Sequence, residues 1–280
     1  MSIQDHLMAD ETPHGLGILA EYDYAQLEIR ILALASGDDQ LIEDINSGRD
    51  MHTVFASKIF DKPEEEITKT ERRTAKTFSF ELQYGGGAEN MAKRWGVPVS
   101  LTETFIEEYY QRYPKIKKYQ KRAARAASDT LIHMGDRRDG VSVPRYYVPS
   151  IWEDEEGKPL TQYAVIGSLS KKGIPYPPPT QVKNYPIQGA GADIMLMMLN
   201  KLSREIRHTS AWLINTVHDS VLCEITDSKN GEHQGLLQKI ADILSTVPEE
   251  LKKNYGVDSP IEFPVDYSTG YTLTEVKKKA

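Results

Sequence analysis

The chain has 280 residues, 39% of them hydrophobic, enough for a substantial core or two lobes. Its single cysteine, Cys223, excludes an internal disulfide and a cysteine-cluster metal site. With neither a secretory signal nor an apolar run long enough to cross a membrane, the expectation is a soluble protein of the cytoplasm. A formal net charge of −7 argues against a uniformly basic nucleic-acid binder, so a basic contact surface has to be local.

Residues 1–14 are polar and irregular and read as a loose arm. Gly17 to Asp23 reads as a strand that ends in a carboxylate. Gln26 to Ala35 then reads as a helix with Leu27, Ile31, Leu34 and Ala35 on one apolar face, stopped by Gly37-Asp38-Asp39. A carboxylate held at a strand end is a natural metal or catalytic position, although an isolated Asp there is more often simply solvated. Arg49 to Phe55 begins another helix. His52, near its start, is placed either to donate to a phosphate or to sit half-buried.

The stretch from Glu71 to Gly87 has the most informative spacing. Arg72, Lys76, Phe80 and Tyr84 recur every fourth residue, which on a helix makes one slowly drifting stripe roughly 18 Å long. The stripe is cationic at its N-terminal end and aromatic at its C-terminal end. A helix N-terminus favours anions, Arg adds a bidentate fork, Lys adds a point charge, and an aromatic ring beyond can meet a flat base. That order suits a nucleoside triphosphate laid along the helix. Taken alone it equally describes an amphipathic helix with a solvated basic edge.

After Gly85-Gly86-Gly87 come a short helix and Pro98. Ser100 with Glu103 reads as a capping box opening a long helix that breaks near Pro114. Beyond the break run Lys115, Lys117, Lys118, Lys121, Arg122 and Arg125, with tyrosines 109, 110, 113 and 119 interleaved and no acid between Tyr109 and Ser128. So one-sided a run in an acidic protein reads as a phosphate-backbone contact rather than a merely solvated face. In 134–180, Arg145–Pro149 and Gln162–Leu169 suggest a hairpin around an acidic turn, followed by a stiff Tyr176-Pro177-Pro178-Pro179. Lys183 to Asp193 leads into an apolar helix whose Met195, Met197 and Met198 read as core. The carboxamides of Asn184 and Gln188 can donate and accept at base edges. Trp212–Val217 and Val221–Ile225 read as a hairpin with His218-Asp219-Ser220 at its tip. Gly235–Tyr255 reads as one amphipathic helix, Ile261–Tyr267 as a last strand, and Tyr271 onwards as a basic tail.

Three of these stretches, in order, resemble the polymerase motifs of the family A DNA polymerases: Tyr22-Asp23-Tyr24-Ala25-Gln26-Leu27-Glu28-Ile29-Arg30, the Arg72/Lys76/Phe80/Tyr84 helix, and Val217-His218-Asp219-Ser220. The resemblance runs from about Ile18 to about Gly270. It implies an α+β right-hand fold: an antiparallel palm sheet at 1–38 and 181–280, and mainly helical fingers at 39–180 with an insertion at about 134–180. It implies a DNA-directed DNA polymerase that adds dNTPs to a primer 3′-hydroxyl by two-metal phosphoryl transfer. Asp23, Asp219 and Lys76 would be catalytic, with two Mg²⁺ ions held by Asp23, Asp219 and the carbonyl of Tyr24. Contacts to the dNTP would come from Tyr24, Gln26, Glu28, His52, Arg72, Lys76, Phe80 and Tyr84. Primer–template contacts would come from Asn184, Gln188, His218, Lys115, Lys118 and Arg122.

Glu28 resembles the family's sugar gate, which related single-subunit RNA polymerases lack, so DNA synthesis is expected over RNA synthesis. Phe80 in place of Tyr implies discrimination against dideoxynucleotides. Ser220 departs from the pattern, since many relatives carry Glu after the His-Asp pair, and so does Thr180, where an Arg is common. Because the chain opens close to the first motif, a thumb and a 3′–5′ exonuclease are expected on a second polypeptide, as in a split phage polymerase. The rival readings are a non-catalytic nucleic-acid-binding remnant and an RNA polymerase of the single-subunit type.

Overall fold

The computed structural model describes residues 11–12, 15–83, 86–129, 137–138, 141–142, 144–171, 174–226 and 232–279. The architecture is α+β. The chain divides into two compact units, one formed by residues 1–27 with 191–280 and the other by residues 28–190. Among the described residues no helix is long and apolar enough to cross a membrane.

The first unit is built on a four-stranded antiparallel sheet. Its strands are β1 (Ile18–Tyr24), β4 (Ala211–Val217), β5 (Ser220–Ile225) and β6 (Val265–Gly270), in the order β4-β5-β1-β6. Alternation along β1 sorts its side chains onto two faces. Tyr22 and Tyr24 are buried and donate their hydroxyls to Leu237 O (3.3 Å) and Leu244 O (2.8 Å) of helix α9 (Glu232–Ser245). Glu21 and Asp23 take the opposite face. Lower on that face, Leu19 and Leu222 pack against Leu273 and Val276. Cys223 is a core thiol whose pKa burial pushes up to about 12.

Three expectations for this unit change. The basic tail expected after Tyr271 is helical: Leu273–Lys279 is helix α11, whose apolar residues at a spacing of three cover the end of the sheet. The single helix expected over Gly235–Tyr255 is two, α9 and α10 (Val247–Tyr255), because Pro248 opens the second helix and cannot continue the first. The last strand lies at Val265–Gly270. Ile261 and Phe263 are buried but irregular, just before Pro264, which offers the ladder no N–H.

The second unit is mainly helical: α1 (Leu27–Ser36, which starts at the boundary), α2 (Asp39–Asn46), α3 (Met51–Phe60), α4 (Lys69–Gln83), α5 (Ala88–Trp95), α6 (Val99–Arg112) and α7 (Pro114–Asp129). A hairpin of β2 (Arg145–Pro149) and β3 (Gln162–Ile166) follows, and then the first part of α8 (Pro179–Glu205). Phe55, Phe105, Tyr109 and Tyr113 form an aromatic core, with Phe78 edge-on to Phe105 at 4.4 Å between ring centroids. Buried Asp44 takes a fork from Arg112 and the Tyr113 hydroxyl at 2.7 Å. The hairpin packs Tyr146, Val148 and Val165 against Ala123 and Ala127 of α7 and Val182 of α8.

The expected Ser100–Glu103 capping box is absent. Pro98 stands at the helix start with its fixed φ, so Ser100 falls inside the first turn. The reciprocal box forms instead at the head of α4. There Thr68 N–H donates to Glu71 Oε2 (2.9 Å) and Glu71 N–H donates to Thr68 Oγ1 (3.2 Å). A hydrogen bond from Lys62, with those from Thr68, holds the Glu71 carboxyl down at about 2.

Candidate active site

Strand register brings the two distant aspartates together. Ser220 pairs with Asp23 across β5–β1, and Asp266 pairs with Asp23 across β6–β1. Directly opposed residues share a face, so Ser220, Asp23 and Asp266 form one row and Leu222, Glu21 and Ser268 the next. These rows open onto a cleft of about 510 Å³, lined by Glu21, Asp23, His218, Asp219, Ser220 and Asp266 among others. Asp219 enters from the two-residue turn between β4 and β5. Its carbonyl accepts the Tyr24 N–H at 3.4 Å. His218, exposed at the same turn, has φ +56°, a left-handed conformation that costs a non-glycine residue about 1 kcal/mol or more.

The donor set suits Mg²⁺. Among the described residues no three His, Cys, Asp or Glu side chains converge into a ready-made metal cage. A pair of carboxylates with a backbone carbonyl, completed by substrate phosphates, is the hard-oxygen set that Mg²⁺ uses. Tyr24's ring is engaged in the core, so its backbone alone can serve the cleft. Gln26 follows with φ +55° at the turn into α1, and Glu28 lies half-buried in the first turn of that helix.

In the second unit, Lys69, Arg72, Arg73, Lys76 and Thr77 line an open trough of about 840 Å³ along α4. Arg72 lays its fork on Asp50, the N-cap of α3 (Nη2 to Oδ1 3.2 Å). Burial works upward on the Asp50 carboxyl, but the hydrogen bonds from Arg72 and Thr53 hold it below the usual range. The sequence reading missed Lys69 and Arg73. The signal for them was present, since positions 69, 73 and 76 repeat on one helical face.

His52 is a correction. It is only 2% exposed, and burial, helped by Lys76 and Arg72 and opposed by Asp50, brings its pKa down to about 4. It is therefore a neutral core imidazole at neutral pH, not an exposed phosphate donor. Phe80 lies on the same helix but its side chain is outside the described set, and Tyr84 lies outside the described residues.

The basic helix α7 also needs sorting. Lys117, Lys118, Lys121, Arg122 and Arg125 are exposed, while Ile116, Tyr119, Gln120, Ala123 and Ala127 face inward. Arg122 sits 5.8 Å from the Tyr119 ring centroid. Lys115 is engaged elsewhere: its ammonium lies 2.6 Å from Asp39 and 2.9 Å from the Gly37 carbonyl, pinning the helix start. Tyrosines 109, 113 and 119 are buried, and the Tyr110 hydroxyl donates to Gln120 at 2.7 Å. They are core, because their spacing puts them on the inward faces of α6 and α7, and they offer no stacking platform. On α8, Gln188 is exposed and Asn184 is half-buried with its carboxamide oxygen inward.

A family model for DNA polymerase family A matches residues 2–270. This chain belongs to that family. Among relatives of this family A chain is the thermostable DNA polymerase I of Thermus thermophilus, 29% identical over 250 residues, covering 88% of this chain and 26% of the relative. Another is DNA polymerase I of Lactococcus lactis, 28% identical over 263 residues, covering 93% and 26%. The chain thus spans about a quarter of the length of these relatives. The POL domain of Pol1 from M. smegmatis, solved with DNA primer-template and dNTP, shares the fold with a TM-score of 0.72 at 22% identity. That match covers 98% of this chain and 42% of the other.

Proposed function

We propose that this family A chain carries the nucleotidyl-transfer centre of template-directed DNA synthesis. The observation that supports it best is the sheet register that delivers Asp23 and Asp219, 196 residues apart in sequence, to one cleft. In this reading Asp23, Asp219 and the Tyr24 carbonyl hold two Mg²⁺ ions. When bound, those ions supply activation of the primer 3′-hydroxyl and stabilisation of the departing pyrophosphate. Arg72 and Lys76 offset the charge of the triphosphate, and Lys76 that of the leaving pyrophosphate. Lys69 and Arg73 add to that field.

Glu28, with Phe80 and Tyr84, selects the sugar. Asn184, Gln188 and His218 meet the primer–template, where minor-groove acceptors common to all base pairs report pair geometry rather than sequence. Lys118 and Arg122 meet its phosphates. The palm comprises 1–38 and 181–280 and the fingers 39–180. Primer extension with Mg²⁺ and dNTPs tests the reading. Asp23→Ala and Asp219→Ala should each lower synthesis by about a thousandfold, the several kcal/mol such ligands supply, with melting unchanged. Retained synthesis in either variant, or equal use of NTPs, would count against it.

A further inference from the structure

Two carboxylates of the cleft have no role in the proposed nucleotidyl transfer, Glu21 and the exposed Asp266. Glu21 precedes Asp23 by two residues on β1, so the two share a face. Its side chain is only 12% exposed, a costly place for an ionised carboxylate unless something holds it there. Ser220 does so: its hydroxyl lies 3.0 Å from Glu21 Oε1 and 3.1 Å from the Val217 carbonyl, and shares its one proton between the two acceptors. Lys277 is farther, at 4.0 Å, beyond hydrogen-bond range. Ser220 is the residue after Asp219, at the position where the family resemblance leads one to expect Glu. Register places Ser220 opposite Asp23 and Leu222 opposite Glu21, so Glu21 and Ser220 are diagonal neighbours on the ladder.

We propose that Glu21 is the supporting carboxylate of the cleft, moved across the ladder from β5 to β1, with Ser220 as the hydroxyl that holds it. Glu21 is then a positioning residue. It keeps a further negative charge beside Asp23, Asp219 and Asp266 and strengthens the hold on a divalent cation. The consequence for synthesis rests on the polymerase reading, whereas the consequence for metal binding does not. By Coulomb's law in water, one unit charge within several ångströms of a divalent charge would be worth roughly a factor of ten in affinity.

The test is Mn²⁺ titration of the 280-residue chain by electron paramagnetic resonance, with thermal melting and primer extension alongside. Glu21→Gln keeps the shape and an acceptor for Ser220 but removes the charge. It should weaken Mn²⁺ binding about tenfold and slow extension, with the melting temperature held. The double variant Glu21→Gln/Ser220→Glu returns the charge to the other strand and reverses the hydrogen bond. It should recover Mn²⁺ affinity to within about threefold of wild type. Asp23→Ala should abolish binding, which places the Mn²⁺ in this cleft. The proposal is overturned by Glu21→Gln binding Mn²⁺ within twofold of wild type, by a double variant that fails to recover, or by Mn²⁺ binding that ignores Asp23→Ala. A lowered melting temperature with unchanged Mn²⁺ affinity would also overturn it, leaving Glu21 as a tie to α11. If the wild type shows the full Mn²⁺ pattern but makes no DNA, the polymerase reading fails and this inference stands.

Discussion

Gly189 follows Gln188 on α8 and lies directly under Tyr163 of the hairpin. A Cβ built there would be 2.2 Å from Tyr163 Cζ, 2.3 Å from Oη and 2.4 Å from Cε1. Ordinary carbon contacts are about 3.5–4.0 Å, so alanine forces the ring aside or lifts the hairpin. In a helix interior Gly→Ala by itself stabilises by about 1 kcal/mol, whereas overpacking of this kind costs about 1–3 kcal/mol. Gly189→Ala should therefore destabilise the wild type by up to about 2 kcal/mol. With the ring removed by Tyr163→Ala, the same substitution should become stabilising by about 1 kcal/mol. Urea unfolding of the four proteins measures the coupling, about 1–3 kcal/mol, above the few tenths by which independent sites deviate from additivity. If Gly189→Ala has the same sign and size in both backgrounds, the hairpin does not bear on α8 through this contact.

His52 should make the protein sensitive to acid. Its pKa is depressed to about 4 in the folded chain, against 6.5 for an ordinary histidine, so the unfolded chain takes up the proton first as pH falls. Its contribution is full above about pH 6.5 and is lost toward pH 4, by up to about 3 kcal/mol. Unfolding curves at both pH values should show this loss in the wild type and not in His52→Gln, and parallel behaviour of the two would refute it. Asp44→Ala should cost about 2–4 kcal/mol, because it strips the partner from the buried Tyr113 hydroxyl and from the Arg112 fork. A loss below 1 kcal/mol by urea unfolding would show that the site re-pairs without Asp44. Phe80→Tyr should raise dideoxynucleotide incorporation in a chain-termination assay, and equal termination by both forms would remove Phe80 from sugar discrimination.

Local pattern was enough for the elements that carry the family motifs. The apolar alternation before Asp23, the hairpin around His218-Asp219, the break at Pro114 and the fourfold spacing of Arg72 and Lys76 are all properties of neighbouring residues. Periodicity reports them directly. It also misled in places. Ser100 and Glu103 matched a capping signature that Pro98 pre-empted, while Thr68 and Glu71 formed the box nearby. The tyrosines interleaved with the cations of 109–125 are not all exposed with them: 109, 113 and 119 are buried, and Arg122 and Lys117 lie over the rings of Tyr119 and Tyr110.

By itself, the order of residues determined the family and most of the strand and helix types, because these depend on patterns a few residues long. Only the tertiary structure decided which charges are free to act. Lys115 is drawn to Asp39, 76 residues away, His52 is sealed in a core, and Ser220 meets Glu21 across 199 residues of chain. Such pairings are set by sheet register and helix packing. A periodic pattern shows that a face is buried, but it carries no information about what covers it.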